Sequence, residues 1–250
     1  HVFSTIGSHG SLTVEQALMN SCNPYMIHLA LEMGNSRFAY YQSLFGFGKI
    51  TGIDLPGETT GIVYGDRMTT IDAACNSFGQ TINVNMMQMM AAYCSIINGG
   101  MLYQPHIVKR IESANGEVVK EYKANLVRQT ITASTSKLLR RYLKNTVEEG
   151  TAKKAGVTGY SVAGKTGTAQ KGDRKDNKWI ISFIGHAPAE NPKFAIYVVI
   201  DEPYGTTGTS GSSADVLTLT HNILEKLLPY MNVYKDASCL LYTSPSPRDA

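Results

Sequence analysis

The spacing of apolar and polar positions divides the chain into a helical first half and a strand-rich last third. Thr13 through Asn20 reads as a short helix opened by a Thr13/Gln16 capping box, in which hydroxyl and amide each satisfy an orphan backbone N–H. A second helix starts at Asn23-Pro24, with Asn as N-cap and Pro at the first helical position. It runs through Ile27, Leu29, Ala30 and Leu31 and stops at Gly34. Ser21-Cys22-Asn23 therefore sits on a helix-helix junction, where side chains can project into a cleft. Ser36 to Phe45 reads as a third helix, with Phe38, Tyr41, Leu44 and Phe45 on its apolar face. Gly46 to Gly65 is loop, broken by Gly48, Gly52, Pro56, Gly57 and Gly61. Met86, Met89, Met90, Tyr93 and Ile97 keep helical spacing over Asn85 to Ile97, and such a methionine stripe reads as core packing.

His106 to Glu112 and Val118 to Tyr122 alternate around Asn115-Gly116, which predicts a hairpin. Ser134 or Thr135 starts a helix in which Leu138, Leu139, Tyr142, Leu143 and Val147 share one face above Arg140, Arg141 and Lys144. Three strands follow, Ser161 to Ala169, Trp179 to His186 and Phe194 to Asp201. Their loops are too short for crossover helices, so neighbours run antiparallel. Ala214 to Leu228 closes as a helix with Val216, Leu217, Leu219, Ile223, Leu224 and Leu227 apolar. The expected fold class is α/β, an antiparallel β-sheet flanked by helices. Residues 237–250 have neither period, and their Ser-Pro-Ser-Pro favours a disordered tail or a non-native scar, leaving 1–236 as the domain.

Composition removes several function classes. A chain of 250 residues, 43% apolar, can bury a full core. Its net charge of +3 is spread along the sequence without a basic block interleaved with aromatics, so no nucleic-acid partner is expected. The run Lys171 to Lys178 contains its own acids and reads as a solvated turn. Cys22, Cys75, Cys94 and Cys239 show no C-x-x-C spacing, and the six histidines show no ligand spacing or H-E-x-x-H. No metal and no cofactor is expected. No apolar run approaches a membrane span.

The candidate chemistry centres on Gly159-Tyr-Ser-Val-Ala-Gly164-Lys165-Thr166-Gly167-Thr168, which fits two unrelated patterns. Spelled G-x-x-x-x-G-K-[ST], it is the phosphate-cradling P-loop of an NTPase. Spelled Lys-Thr-Gly-Thr on a strand edge, it is the K-T-G element of penicillin-recognising serine enzymes. A P-loop needs an aliphatic strand before its first glycine and a helix opening at Lys-Thr. The residues before Gly159 are polar and glycine-broken, and Gly167 follows Thr166, so neither condition is met. Ala195-Ile-Tyr-Val-Val-Ile-Asp201 ends in an acid as a Walker B strand would, and equally as an ordinary sheet strand does.

With Ser21-Cys-Asn23 upstream, Ser77-Phe-Gly-Gln80, Asn98-Gly-Gly100, Val162 to Gln170, Phe183 to Pro192 and Val198 to Pro203 in order, the chain resembles the transpeptidase domain of class B penicillin-binding proteins. The resemblance implies a serine β-lactamase/DD-peptidase-like fold lacking its N-terminal part. It also implies an acyl-enzyme D,D-transpeptidase that cross-links D-Ala-D-Ala stem peptides of peptidoglycan and is inhibited covalently by β-lactams. On that pattern Ser21 relays a proton to or from the leaving group. Asn23 hydrogen-bonds the substrate amide, Lys165 sets a charge beside the substrate carboxylate, and Thr166 and Thr168 offer it hydroxyls. Gly167 lets substrate backbone approach, and the Thr168 N–H is an oxyanion-hole donor. Gly79 and Gln80 support the site from behind.

The family's nucleophile, the serine of S-x-x-K, precedes S-x-N and is expected beyond His1, leaving these residues inactive alone. Ser134-Thr-Ser-Lys137 has that spelling in the wrong order. The resemblance further implies an extracytoplasmic domain anchored by a membrane helix outside this chain, with cell-wall synthesis or division proteins as partners. The alternatives are a β-lactam sensor or binding domain, a serine β-lactamase and, remotely, a P-loop NTPase.

Overall fold

The computed structural model describes residues 9–172, 175, 177–203 and 212–237. The predicted tail from 238 onward, with Cys239, and residues 173, 174 and 176 of the predicted Lys171 to Lys178 turn lie outside the described residues.

The centre of the fold is a three-stranded antiparallel sheet of β5 (Ala163–Lys171), β6 (Lys178–Ala187) and β7 (Phe194–Asp201), in the spatial order β5-β6-β7. Strand alternation sends each residue set to its own layer. Ile181 and Phe183 of β6, fully buried, face α7 (Ala214–Tyr230), where Val216, Leu217, Leu224 and Leu228 receive them. Ala163, Ile184 and Ala195 face the other way, onto Tyr93 and Ile97 of α5 (Met86–Ile97), Leu143 of α6 (Ala133–Glu148) and Leu18 of α1 (Val14–Met19). Full burial of a Phe or Ile side chain contributes roughly 1.5–3 kcal/mol, so the two layers hold the sheet between helices from both ends of the chain.

Gly164 of β5 lies opposite Gly185 of β6, and the Phe183 ring lies across both. A Cβ at Gly164 would strike the Phe183 ring and stand 2.5 Å from the Ile184 carbonyl oxygen; one at Gly185 would stand 2.5 Å from the same ring. The glycine pair is therefore a slot cut for an aromatic ring. Nearby, His186 is fully buried, with Nε2 3.1 Å from the Ala189 carbonyl and Nδ1 2.8 Å from the Tyr93 hydroxyl. A carbonyl only accepts, so Nε2 carries the proton and Tyr93 donates to Nδ1. Burial pushes the His186 pKa down to about 4, which keeps the imidazole neutral as a tie between α5 and β6.

The remaining elements are α2 (Asn23–Met33), α3 (Asn35–Leu44) and α4 (Thr70–Asn76), two short 3-10 turns at Gly65–Arg67 and Lys153–Ala155, and two small antiparallel pairs. One joins β1 (Met101–Tyr103) to β4 (Leu126–Gln129), the other β2 (Arg110–Glu112) to β3 (Val118–Glu121). The β2–β3 hairpin turns at Asn115-Gly116 as its sequence predicts. Asp54 anchors its base by accepting from the N–H groups of Ile107 and Val108, each at 2.8 Å, and these bonds hold its carboxyl below the usual range.

Several sequence expectations need correction. Asn23 is the first residue inside α2, and Cys22 occupies the N-cap without a side-chain bond, so the Asn23 amide is not consumed as a cap. The helix predicted from Ser134 or Thr135 begins at Ala133 with Thr132 as its cap. Met86 is 51% exposed and Met89 and Met90 only half-buried. The core-facing positions of α5 are instead Gln88, Ala92, Tyr93, Ser95 and Ile97. Gln88 is inside because its Nε2 donates to the carbonyls of Lys49, at 2.6 Å, and Thr60, at 3.0 Å, pinning the glycine-rich loop to the helix. Leu138 and Leu219 face solvent.

Candidate active site

Two chain segments whose contacting residues are 144 positions apart meet at one cleft. The first is the junction of α1 and α2. The Cys22 N–H reaches the Ala17 carbonyl and the Ser21 N–H the Leu18 carbonyl, a Schellman closure that puts Ser21 in the left-handed region, φ 50. Glycine is the usual residue there, since a Cβ is disfavoured in that conformation. The strained turn aims the serine side chain at the sheet.

The second segment is β5. Lys165 and Gly167 share the face of the sheet on which α1 and α6 lie, while Thr166 and Thr168 alternate to the other. Lys165 Nζ donates to Ser21 Oγ and to the Thr166 carbonyl at 3.1 Å, and lies 3.3 Å from Thr166 Oγ1. No carboxylate of the described residues pairs with it. Burial alone pushes its pKa down to about 8. The cleft thus holds a desolvated cation that has hydroxyls for company and no counter-ion. Such a group can take a carboxylate in a charge-assisted hydrogen bond.

A cavity of about 470 Å³ opens over this pair, lined by Ser21, Asn23, Lys165, Thr166, Gly167 and Thr168. Every catalytic or substrate-contacting residue named from the sequence is therefore on one surface. Gly79 and Gln80 do not line it. They follow Ser77 and Phe78, which do, and Asn76 Nδ2 donates to the Gln80 carbonyl at 3.1 Å. Sequence reasoning missed the rest of the wall: Leu18, Met26, Thr151 and Ser213. Thr151 reaches it from the turn after α6, its hydroxyl 3.4 Å from that of Thr166. No motif marks it, because only the tertiary fold brings that turn to β5.

The phosphate-cradle reading is excluded by the same geometry. Gly164, Lys165 and Thr166 lie inside a nine-residue strand paired to β6 throughout, so no helix opens there and no loop curls round an anion. Asp201, the acid a Walker B strand would offer, is ion-paired at 2.8 Å with Lys171, six residues and roughly 20 Å along the strand from Lys165. The out-of-order Ser134 and Lys137 are exposed on the first turn of α6, and Thr132 and Thr135 beside them line a different cavity with Tyr41 and Gln129. Among the described residues no group of side chains could hold a metal ion, and no helix is long and apolar enough to cross a membrane.

Residues 4–225 match the family model described as the penicillin binding protein transpeptidase domain. The chain is 40% identical over 232 residues to stage V sporulation protein D of Bacillus subtilis, covering 91% of this chain and 36% of that protein. It is 32% identical over 243 residues to the peptidoglycan D,D-transpeptidase FtsI of Escherichia coli, covering 95% and 39%. The crystal structure of penicillin-binding protein 3 from Mycobacterium tuberculosis complexed with ampicillin superposes with a TM-score of 0.81 at 30% identity, over 94% of this chain and 53% of that one. The chain spans between a third and two fifths of the length of these curated relatives.

Proposed function

Since the chain belongs to the penicillin-binding protein transpeptidase domain family, we propose that it supplies the substrate-binding half of a peptidoglycan D,D-transpeptidase site. The observation that carries this is the contact of Lys165 with Ser21 in a cleft where the lysine pairs with no carboxylate of the described residues. A stem peptide ending in D-Ala-D-Ala brings a terminal carboxylate, and that carboxylate completes the charge of Lys165 with help from the hydroxyls of Thr166 and Thr168. β5 pairs with a neighbour on one side only among the described residues, so the peptide backbone can lie along its other edge as an added strand. Asn23 holds the substrate amide. A serine Oγ attacks the penultimate D-Ala carbonyl, the oxyanion is stabilised by the Thr168 N–H, and D-Ala leaves with a proton relayed through Ser21. An amine of a neighbouring stem then takes the acyl group. A β-lactam, which also carries a carboxylate beside a reactive amide, is trapped as the stable acyl-enzyme.

The reading assigns no nucleophile to these 250 residues, because no S-x-x-K stands ahead of Ser21. It takes the site to the extracytoplasmic side of the cell membrane, with other cell-wall or division proteins as neighbours. A protein carrying these residues together with a family-order S-x-x-K segment is expected to bind fluorescent penicillin covalently, and residues 1–250 alone to bind none. Labelling of the 250 residues by themselves would overturn the assignment of the nucleophile.

The charge of Lys165 gives the site a pH dependence. Its folded pKa of about 8 lies below the ordinary lysine value of 10.5, so the cation is present below pH 8 and is lost as the pH rises through it. Between the two values the unfolded chain binds the extra proton, so this group adds stability with rising pH while removing carboxylate binding. The second-order rate of acylation by a carboxylate-bearing β-lactam is expected to fall on an alkaline limb centred near pH 8. A rate that stays flat to pH 9.5 would contradict the role given to Lys165.

A further inference from the structure

The hydroxyl of Ser21 and the ammonium of Lys165 belong to elements that share few direct ties, yet they touch. α1 has six residues, too few to hold itself as a helix or to fix its own place. What places it is α6. Thr146 of α6 donates its hydroxyl to the Gly164 carbonyl, one residue before Lys165, so the helix is registered to β5 at the site. α6 and the turn that follows it grip α1 at both ends. At the start, Glu15 Oε1 accepts from Asn145 Nδ2, and Glu15 Oε2 is 3.7 Å from Arg141. At the finish, the Thr151 N–H donates to the Met19 carbonyl at 3.1 Å, and Gly150 sits so close that a Cβ would stand 2.7 Å from that oxygen. Ser21 follows Met19 by two residues.

The geometry points to Glu15 as a positioning residue: held by Asn145 and Arg141, it fixes the docking of α1 on α6 and thereby the approach of Ser21 to Lys165. Its carboxylate does not line the cleft and touches neither reacting group. Glu15 acts through the six-residue helix as through a short lever whose far end is the Ser21 turn. The inference rests on the reading of Ser21 and Lys165 as parts of one acylation site, and its test separates the two.

In a protein that carries these residues with the S-x-x-K serine, Glu15→Ala is expected to slow the acylation rate constant at saturating β-lactam by about tenfold or more, the scale on which small misplacements are felt. The dissociation constant of the non-covalent complex should change little. Glu15→Gln keeps an oxygen for Asn145 and loses only the half-exposed Arg141 pair, so it should recover the rate to within a few-fold. A purely structural role would lower the fraction of protein that acylates and leave its rate constant alone, and that result would overturn the proposal.

A second measurement needs no acylation. Brief treatment with acetic anhydride and peptide mapping by mass should show Lys165 modified several-fold faster in Glu15→Ala than in the parent or in Glu15→Gln, relative to Lys171. Equal modification in all three would overturn the proposal even if acylation were slowed. If the parent takes up no penicillin while Lys165 reactivity responds as stated, the positioning role stands and the transpeptidase reading falls.

Discussion

Replacing Lys165 with methionine is expected to lower the second-order rate of β-lactam acylation by about 10²–10³-fold, in a protein that carries these residues with the S-x-x-K serine, while leaving the thermal midpoint unchanged or higher. The first part follows from removing a fixed positive donor at the place where charge is bound, which in other acyl-transfer sites costs on that order. The second follows from the environment of the side chain. Lys165 is desolvated enough to depress its pKa to about 8, and no carboxylate of the described residues offsets that. Taking a charge out of water without a partner is unfavourable, and a methionine of similar length removes the penalty. Activity and stability should therefore move in opposite directions, the behaviour of a residue kept for its chemistry. A variant that loses acylation and melts well below the parent would show instead that Lys165 holds the fold.

Gly164→Ala is expected to destabilise the domain by about 3 kcal/mol, the upper part of the range for overpacking a well-filled core. The added methyl meets the Phe183 ring on one side and the Ile184 carbonyl, at 2.5 Å, on the other. The ring is fully buried and the carbonyl belongs to the neighbouring strand, so neither can yield without opening the sheet. Phe183→Ala removes the ring and leaves the slot empty, at a cost of about 3–5 kcal/mol. In the double variant the methyl enters space the ring has vacated, so the two losses should sum to less than their separate values. Chemical denaturation of the four proteins reads this directly. Strict additivity would mean that the Ile184 carbonyl, and not the ring, sets the limit at Gly164.

The parts of the fold that were legible in the sequence are those where local chemistry and tertiary burial agree. The Thr13/Gln16 capping box sits where it was expected, and the three long strands were evident from alternating residues whose two faces pack on different helices. The Lys-Thr-Gly-Thr segment was ambiguous as a pattern, and it was the polar run before Gly159 and the glycine after Thr166 that chose a strand over a phosphate loop. What escaped was of two kinds. α4 has a reciprocal Thr69/Asp72 cap, but Ile71 is 76% exposed, so no apolar stripe announces it. β1 and β4 are three and four residues long and pair across more than twenty residues of chain, too short for an alternation to register. The second kind is polar burial. Gln88 carries no apolar signal of burial in the sequence, and it is inside because the loop it pins exposes two carbonyls that need a donor. Within the cleft, Ser21, Asn23 and Lys165 could be named because the motifs carry them, whereas Thr151 and Met26 could not, since their place there exists only once α6 and α2 have packed.

β5 is bonded to a neighbour on one side only among the described residues, and its other edge looks into the cleft. An uncovered strand of nine residues is also the feature by which folded proteins recruit one another into aggregates. The α1–α2 turn reaches that edge through the contact of Ser21 with Lys165, so a second copy of the sheet meets an obstacle there. On the proposed reading, the turn that shapes the cleft for a narrow, acid-ended peptide is thus also what obstructs sheet-to-sheet pairing along that edge.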